Sequence, residues 1–419
     1  MFALIDANSF YASAEQVFDP AVRRRPLVVL TNNDGCICAL SDEAKQLGIK
    51  KFGPYYQSEQ FLRRHNATIR SSNYALYDDL SNKMMRVIGR FGPRQHVYSI
   101  DECFLDLRRW QPTMSWERYA NAIRDTVFTE LRLPVSVGIG ATPTLAKAAS
   151  FAAKQLGSKC GISVLRDATA TEAVLKQLEV QQVWGIGKRL AARLNAMHIH
   201  SAWALSQASA RQLRQYFSVE VERTVRELNG VVCLDWDTLP LNKQQLFSTR
   251  AFGAPVTSLS ALRQALAWHG ERIALKLRQQ NCGVKTLTAF AHANPFAKHD
   301  PFHRSTLHTF EEPTSDTRDI VGTLTQLAPK LFESGVLLHK CGAGAIDIID
   351  SKVLQKDLFA HSTRTPALMA CMDAINRKFG TNTLGMAAKG QHAPWHMKRQ
   401  FLSPQYTTNW RHIPIINCE

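Results

Sequence analysis

At 419 residues the chain is too long for one ordinary core, so two to four domains are expected. Hydrophobic content of 45% and charged content of 21% exclude a disordered or fibrous chain. No apolar run is long enough to cross a membrane, and the opening MFALIDANSF reaches Asp6 before a signal-peptide core could form, which reads as a protein neither exported nor membrane-spanning. Nine cysteines without a C-x-x-C pair or zinc spacing fit a reducing cytoplasm. The balance of 51 Lys and Arg against 35 Asp and Glu, a formal charge of +16, favours a polyanionic partner, nucleic acid first and anionic membrane second.

Residues 2–5 are apolar at consecutive positions, as in a strand buried on both faces, and end directly in Asp6. Residues 27–30 repeat the pattern and stop at Asn32-Asn33-Asp34-Gly35. An amphipathic helix is predicted over 79–90 through Leu80, Met84, Val87 and Ile88, ended by Phe91-Gly92-Pro93. Strands over 97–100 and 103–107 meet at Asp101-Glu102, and a helix over 116–131 leads to a strand over 135–139. This order predicts a split β-α-β sheet with helices on one face and carboxylates at its strand ends. From about 166 the pattern is helical through Leu175, Leu178, Leu190, Leu194 and Leu205. The stretch around Pro240 reads as a linker. Beyond it, strands over 247–252, 285–290, 305–310 and 344–349 alternate with helices over 262–277 and 320–332 as a second α+β domain, followed by a basic tail with one short helix over 366–379.

Asp6, Asp101 and Glu102 are hard oxygen ligands of the kind that hold a pair of magnesium ions for phosphoryl transfer, provided their strands lie side by side. A helix cap and a hairpin turn explain the same three residues, and spacing alone does not choose. Tyr11 and Phe10 are candidate core aromatics. In VGIGATPTLAKAASFAAK a strand turns into a helix that carries Lys147 and Lys154 on one face, suited to a polyphosphate or simply to solvent. In VWGIGKRLAARL, Gly185 and Gly187 form a Gly-x-Gly turn that opens a helix beside Lys188 and Arg189. This reads as a helix-hairpin-helix whose free N–H groups bind DNA phosphate, or as a plain helix connection. Arg250, Arg263, Arg272, Lys276, Arg278 and Lys285 give the second domain a basic surface.

The segments DANSFYASAE (6–15) and SIDECFLD (99–106), in this order and separation, resemble the two signature segments of Y-family translesion DNA polymerases. Over essentially the whole chain the resemblance is closest to the catalytic subunits of bacterial DNA polymerase V. It implies a multi-domain α+β right-hand polymerase. The parts would be a ferredoxin-like palm (1–19 and 75–165), small fingers (20–74), a helical thumb with the helix-hairpin-helix (166–234), a linker (235–242), an α+β little finger (243–350) and a C-terminal partner-binding tail (351–419). It implies that Asp6, Asp101, Glu102 and the Ala7 carbonyl hold two Mg²⁺ ions, that Tyr11 is a steric gate against the ribose 2′-hydroxyl, and that Lys154 binds the triphosphate. In the fingers, Asp42 and Lys45 stand where the family has Tyr and Arg, so Lys45 keeps a charge for the triphosphate but not the bidentate fork. The same resemblance implies that the small Gly35, Cys36, Cys38 and Ala39 leave an open roof over the nascent base pair.

The pentapeptide QKDLF, with Gln355, Leu358 and Phe359, resembles a sliding-clamp docking peptide, and WHMKR and LSPQYTT resemble the tail of the same polymerase group. The implied partners are primer-template DNA, deoxynucleoside triphosphates, a processed UmuD-like protein, RecA and the clamp, with no membrane. The implied activity is error-prone synthesis across damaged template in the SOS response. A non-catalytic DNA-bound scaffold and a metal-dependent nuclease are the rival readings of the same residues.

Overall fold

The computed structural model describes residues 1–155, 161–234, 243–294, 302–353, 365–391 and 395–413. The chain divides into two compact units, Met1–Leu239 with Gln400–Glu419, and Pro240–Arg399.

In the first unit, β1 (Phe2–Ala7) leads into α1 (Phe10–Phe18). A small three-stranded sheet follows, from β2 (Leu27–Leu30), β3 (Ile37–Leu40) and β4 (Thr68–Ser71), with α2 (Asp42–Gln46) and α3 (Tyr55–Arg64) between the last two strands. Next come α4 (Tyr74–Ile88), β5 (Arg94–Val97), β6 (Glu102–Asp106), α5 (Trp116–Leu131), β7 (Val135–Gly140), α6 (Pro143–Gln155) and β8 (Ile162–Val164). The main sheet has the order β5-β6-β1-β7-β8, with β1 antiparallel to both neighbours.

Strand alternation sorts the two faces. Ala3, Ile5, Cys103, Leu105, Val137 and Ile139 join a core with Leu80 and Met84 of α4 and Ile123 and Val127 of α5. Phe2, Leu4 and Phe104 lie on the opposite face with Ala146 of α6. Helices therefore cover both faces, not one as predicted. The reason is Gly138 and Gly140 on β7: a Cβ at Gly138 would lie 2.5 Å from the Ala146 carbonyl oxygen, and one at Gly140 would lie 2.7 Å from Ala146 N. Without side chains there, α6 settles directly on the sheet.

Two predicted boundaries move. Helix α4 starts at Tyr74 instead of 79, because the Asn73 side chain caps it by accepting from Leu76 N at 3.4 Å, and Leu76 and Tyr77 extend its buried stripe. Strand β5 ends at Val97, so residues 98–101 form the turn, where Tyr98 N and Ser99 N both donate to the Glu102 carbonyl at 3.1 Å.

The helices α7 (Ala168–Gln177), α8 (Lys188–Asn195), α9 (Ala202–Gln207), α10 (Ala210–Tyr216) and α11 (Val219–Leu228) then pack around Leu175, Leu178, Leu194, Leu205, Val221 and Val225. Glu227 of α11 is 1% exposed and holds the start of α6. Its carboxylate accepts from Thr144 N at 2.9 Å and Thr144 Oγ1 at 2.8 Å, and from Cys233 N and Leu234 N at 2.9 and 3.1 Å. A negative charge at a helix N-terminus is favourable, and here it fixes the helix that bears Lys147 and Lys154.

The second unit consists of β9 (Leu246–Val256), α12 (Leu259–Gln279), β10 (Cys282–Ala293), β11 (His303–Thr314), α13 (Thr317–Leu331), β12 (Leu338–Asp350) and α14 (Pro366–Phe379). The antiparallel sheet order is β11-β10-β12-β9. The strands run well beyond the predicted stretches because their outward positions are polar, which hides strand ends from an apolar count. Arg278 of α12 pairs with Asp373 of α14 at 2.7 Å, and Trp395, 1% exposed, completes this unit's core. From Gln400 the chain belongs to the first unit, where Leu402 forms a parallel bridge to Ser71. The clamp-peptide residues Gln355, Leu358 and Phe359 lie outside the described residues. No described helix is long and apolar enough to cross a membrane.

Candidate active site

Register decides what β1 and β6 present. Asp6 pairs directly with Glu102, so both carboxylates stand on the sheet face that α6 covers. Lys154 Nζ lies 2.6 Å from Asp6 Oδ1, and Lys147 Nζ lies 3.1 Å from Glu102 Oε1. The predicted common face of the two lysines is thus real, and it points at the carboxylates rather than at solvent. Lys147 is also held over the rings of Tyr98 and Trp184, at 4.8 and 5.4 Å, and Trp184 Nε1 donates to Tyr98 Oη at 3.1 Å. Trp184, one residue before the Gly-x-Gly turn, therefore ties the α7–α11 helices to the acidic site.

Burial raises the pKa of Asp6 against the pull of Lys154, with Asp101 adding to the rise. Burial likewise raises Glu102 against the pull of Lys147, helped by Asp6 and Asp101. Partly buried like charges held this close require cations, and an all-oxygen donor set suits hard divalent ions such as magnesium. Asp101 stands next to the pair: its Oδ1 accepts from Ser99 Oγ at 2.6 Å, and its carbonyl accepts from Ala7 N at 2.8 Å. Among the described residues no three His, Cys, Asp or Glu side chains form a ready cluster. The residues fit a metal pair in chemistry and in adjacency along the two strands.

A cleft of about 410 Å³ opens beside the acidic pair, lined by Asp6, Glu102, Lys147, Lys154, Trp184 and Gly185 among others. Gly185 has φ +87, a conformation L side chains rarely adopt, and Gly187 precedes α8 with no side-chain cap, leaving its first N–H groups open beside exposed Lys188 and Arg189. Lys45 is instead engaged by Asp42 at 2.6 Å on α2 and is not among the residues lining the cleft. The two departures from the family pattern neutralise one another.

Tyr11 is half-buried and stacks on Tyr77, with ring centroids 4.4 Å apart and 16° between planes. Phe10 is the core aromatic of the pair, at 3% exposure. Sequence reasoning passed over Glu227, Trp184, Tyr77 and Glu15. The first two carry no local signal because their partners are distant in the chain; Glu15 stands inside the first signature segment, and its charge on an apolar helix face was the available sign.

The architecture is that of Y-family DNA polymerases: a chimera of the Y-family DNA polymerases Dbh and Dpo4 superposes with a TM-score of 0.66 at 19% identity, over 83% of this chain and 99% of that one. Residues 5–151 match the impB/mucB/samB family, residues 243–358 its C-terminal domain, and residues 366–416 a domain of unknown function. Protein UmuC of Salmonella typhimurium is 40% identical over 415 residues, 98% of each chain, and Protein SamB of Salmonella typhimurium is 39% identical over 420 residues, 99% of each. The chain belongs to the impB/mucB/samB family and is a DNA-directed DNA polymerase of the translesion type. The scaffold and nuclease readings fall with that membership.

Proposed function

We propose that Asp6, Asp101 and Glu102, with the Ala7 carbonyl, hold two magnesium ions at which this chain adds deoxynucleotides to a primer opposite damaged template. The observation that carries this reading is the Asp6–Glu102 cross-strand pair with a lysine on each carboxylate. Bound there, the ions supply charge stabilisation to the attacking 3′-oxygen and the leaving pyrophosphate. Once Asp6 is satisfied otherwise, Lys154 is released to reach the triphosphate, while the two aromatic rings keep Lys147 beside Glu102. Tyr11, backed by Tyr77, closes the space a 2′-hydroxyl would need. Lys45, tied to Asp42, contributes at most a distant charge.

The sheet that bears the carboxylates serves as palm, the β2–β4 sheet as fingers and α7–α11 as thumb. In the thumb, the α8 N-terminus with Gly185, Gly187, Lys188 and Arg189 takes a DNA phosphate. The second unit acts as the little finger, its basic residues tracking the duplex. Gln355, Leu358 and Phe359 dock on the sliding clamp, and the tail serves a processed UmuD-like partner and RecA in the cytoplasm.

Primer extension with Mg²⁺ and these partners tests the reading. Asp101→Asn should abolish extension and leave primer-template binding within about threefold, as removal of an interaction made only at the reacting phosphate predicts. Retained synthesis would remove the metal assignment, and a product shorter than the primer would mean nuclease chemistry.

A further inference from the structure

The ring that backs Tyr11 is not held by the first 155 residues alone. Tyr77 is fully buried and its hydroxyl donates to Glu15 Oε1 at 2.7 Å. That same oxygen accepts from Ser403 Oγ at 3.1 Å. Glu15 and Ser403 are 1% and 3% exposed, so this pair of donors on one carboxylate oxygen is sealed from water. Burial beside Glu15 pushes the Tyr77 phenol upward, which keeps it protonated and donating. Arg70 Nε stands 3.8 Å from the other Glu15 oxygen and Arg70 also pairs with Asp19 at 3.1 Å.

Ser403 arrives from the end of the chain, and its seat is built along several residues. Asn73, the cap of α4, donates from Nδ2 to Ser403 Oγ at 2.9 Å. Ser71 N donates to the Phe401 carbonyl, and Phe401 N donates to Ser71 Oγ, both at 3.0 Å. Gln400 N donates to Asp34 Oδ2 at 2.8 Å. The rings of Tyr406 and Phe18 stack at 5.1 Å, and Phe401 meets Tyr55 edge-on at 5.8 Å. These contacts fasten residues 400–406 across α1, β4 and the start of α4, directly behind the Tyr11–Tyr77 stack.

We propose that residues 400–406 act as a strap that positions the sugar gate: Ser403 and Glu15 fix Tyr77, and Tyr77 fixes Tyr11. Ser403 is thus a positioning residue for sugar selection, and the C-terminal segment matched as a domain of unknown function gains a role inside the polymerase. A ring stacked at 4.4 Å moves with its support, so a loosened Tyr77 gives Tyr11 room to retreat from a 2′-hydroxyl. Anything that lifts the strap would widen the polymerase's choice of sugar without touching its carboxylates.

The inference rests on the gate reading of Tyr11, and one experiment separates the two. In the full-length polymerase with its partners, kcat/KM for a deoxynucleotide and for the matching ribonucleotide is measured for Tyr11→Ala, Tyr77→Phe and Ser403→Ala. Tyr77→Phe keeps the ring and removes only the hydroxyl; Ser403→Ala removes the second donor to Glu15 together with the acceptor of Asn73 Nδ2. Both should lower the deoxy-to-ribo ratio about fivefold, which is the factor that about 1 kcal/mol of a lost buried hydrogen bond corresponds to. Tyr11→Ala should lower it further. An equal fall in kcat/KM for both sugars in Tyr77→Phe and Ser403→Ala, leaving the ratio unchanged while Tyr11→Ala collapses it, overturns the strap and keeps the gate. An unchanged ratio in Tyr11→Ala overturns the gate itself.

Discussion

The seat of α6 on the sheet gives the most direct test of how the fold makes the site. In Gly138→Ala a new methyl meets backbone, 2.5 Å from the Ala146 carbonyl oxygen and nearer still to Ser150 N, so no side-chain rotation relieves it. Restoring ordinary contact requires α6 to lift by roughly an ångström, which overpacking of this kind costs at about 1–3 kcal/mol. The same lift carries Lys147 and Lys154 away from Glu102 and Asp6, now at 3.1 and 2.6 Å. Misplacement of catalytic groups by about 1 Å lowers rate on the order of a hundredfold. Single-nucleotide insertion kinetics and thermal unfolding of the variant measure both effects. Gly322→Ala is the control, since nothing among the described residues lies within 4 Å of a Cβ there, and on α13 it should be neutral or stabilise by about 0.5–1 kcal/mol. A Gly138→Ala enzyme within about threefold of the parent in kcat/KM, with an unchanged melting curve, would show that α6 does not position the lysines.

Two further outcomes follow from buried polar groups. Glu227→Ala strands Thr144 N, Cys233 N and Leu234 N without their acceptor and should cost about 3 kcal/mol in denaturant unfolding, with Glu227→Gln losing less; a loss under about 1 kcal/mol for the alanine variant would remove its anchoring role. In the second unit, His269 is fully buried, with Nδ1 2.8 Å from Ser248 Oγ and Nε2 without a hydrogen-bond partner among the described residues. Burial, with Arg250, Arg272 and Lys276 nearby, holds its pKa down to about 3. A depressed folded-state pKa makes its contribution complete above about pH 6.5, the unfolded value, and lost as pH falls toward 3, at up to about 1.4 kcal/mol per pH unit. Unfolding free energies between pH 7 and 5 should therefore fall more steeply for the parent than for His269→Leu, and parallel slopes would refute the assignment.

What the sequence determined alone was chemistry carried by contiguous residues. Each of the two signature segments is contiguous in the chain, so Asp6, Tyr11, Asp101 and Glu102 could be named as candidates before any strand was paired. Gly185 and Gly187 likewise announced a tight turn opening a helix, because the positive φ that Gly185 adopts has one cheap solution and it is local. The amphipathic spacing in α4, α5, α12 and α13 located helices to within a turn or so, since burial of one face leaves a period in the chain.

Tertiary structure decided the rest, where the partners of a residue lie far away and leave no period. Whether α6 covers the second face of the sheet depended on two glycines whose use was invisible until β7 met the helix. Lys154 was legible as a cation, but its engagement with Asp6 follows only from the register of β1 and β6 beneath α6. The lone charge of Glu15 in an apolar helix found its purpose in Tyr77 and in Ser403, 388 residues on. Closing so long a loop is favourable only when many contacts form together, and such cooperation is a property of the folded surface rather than of any stretch of sequence.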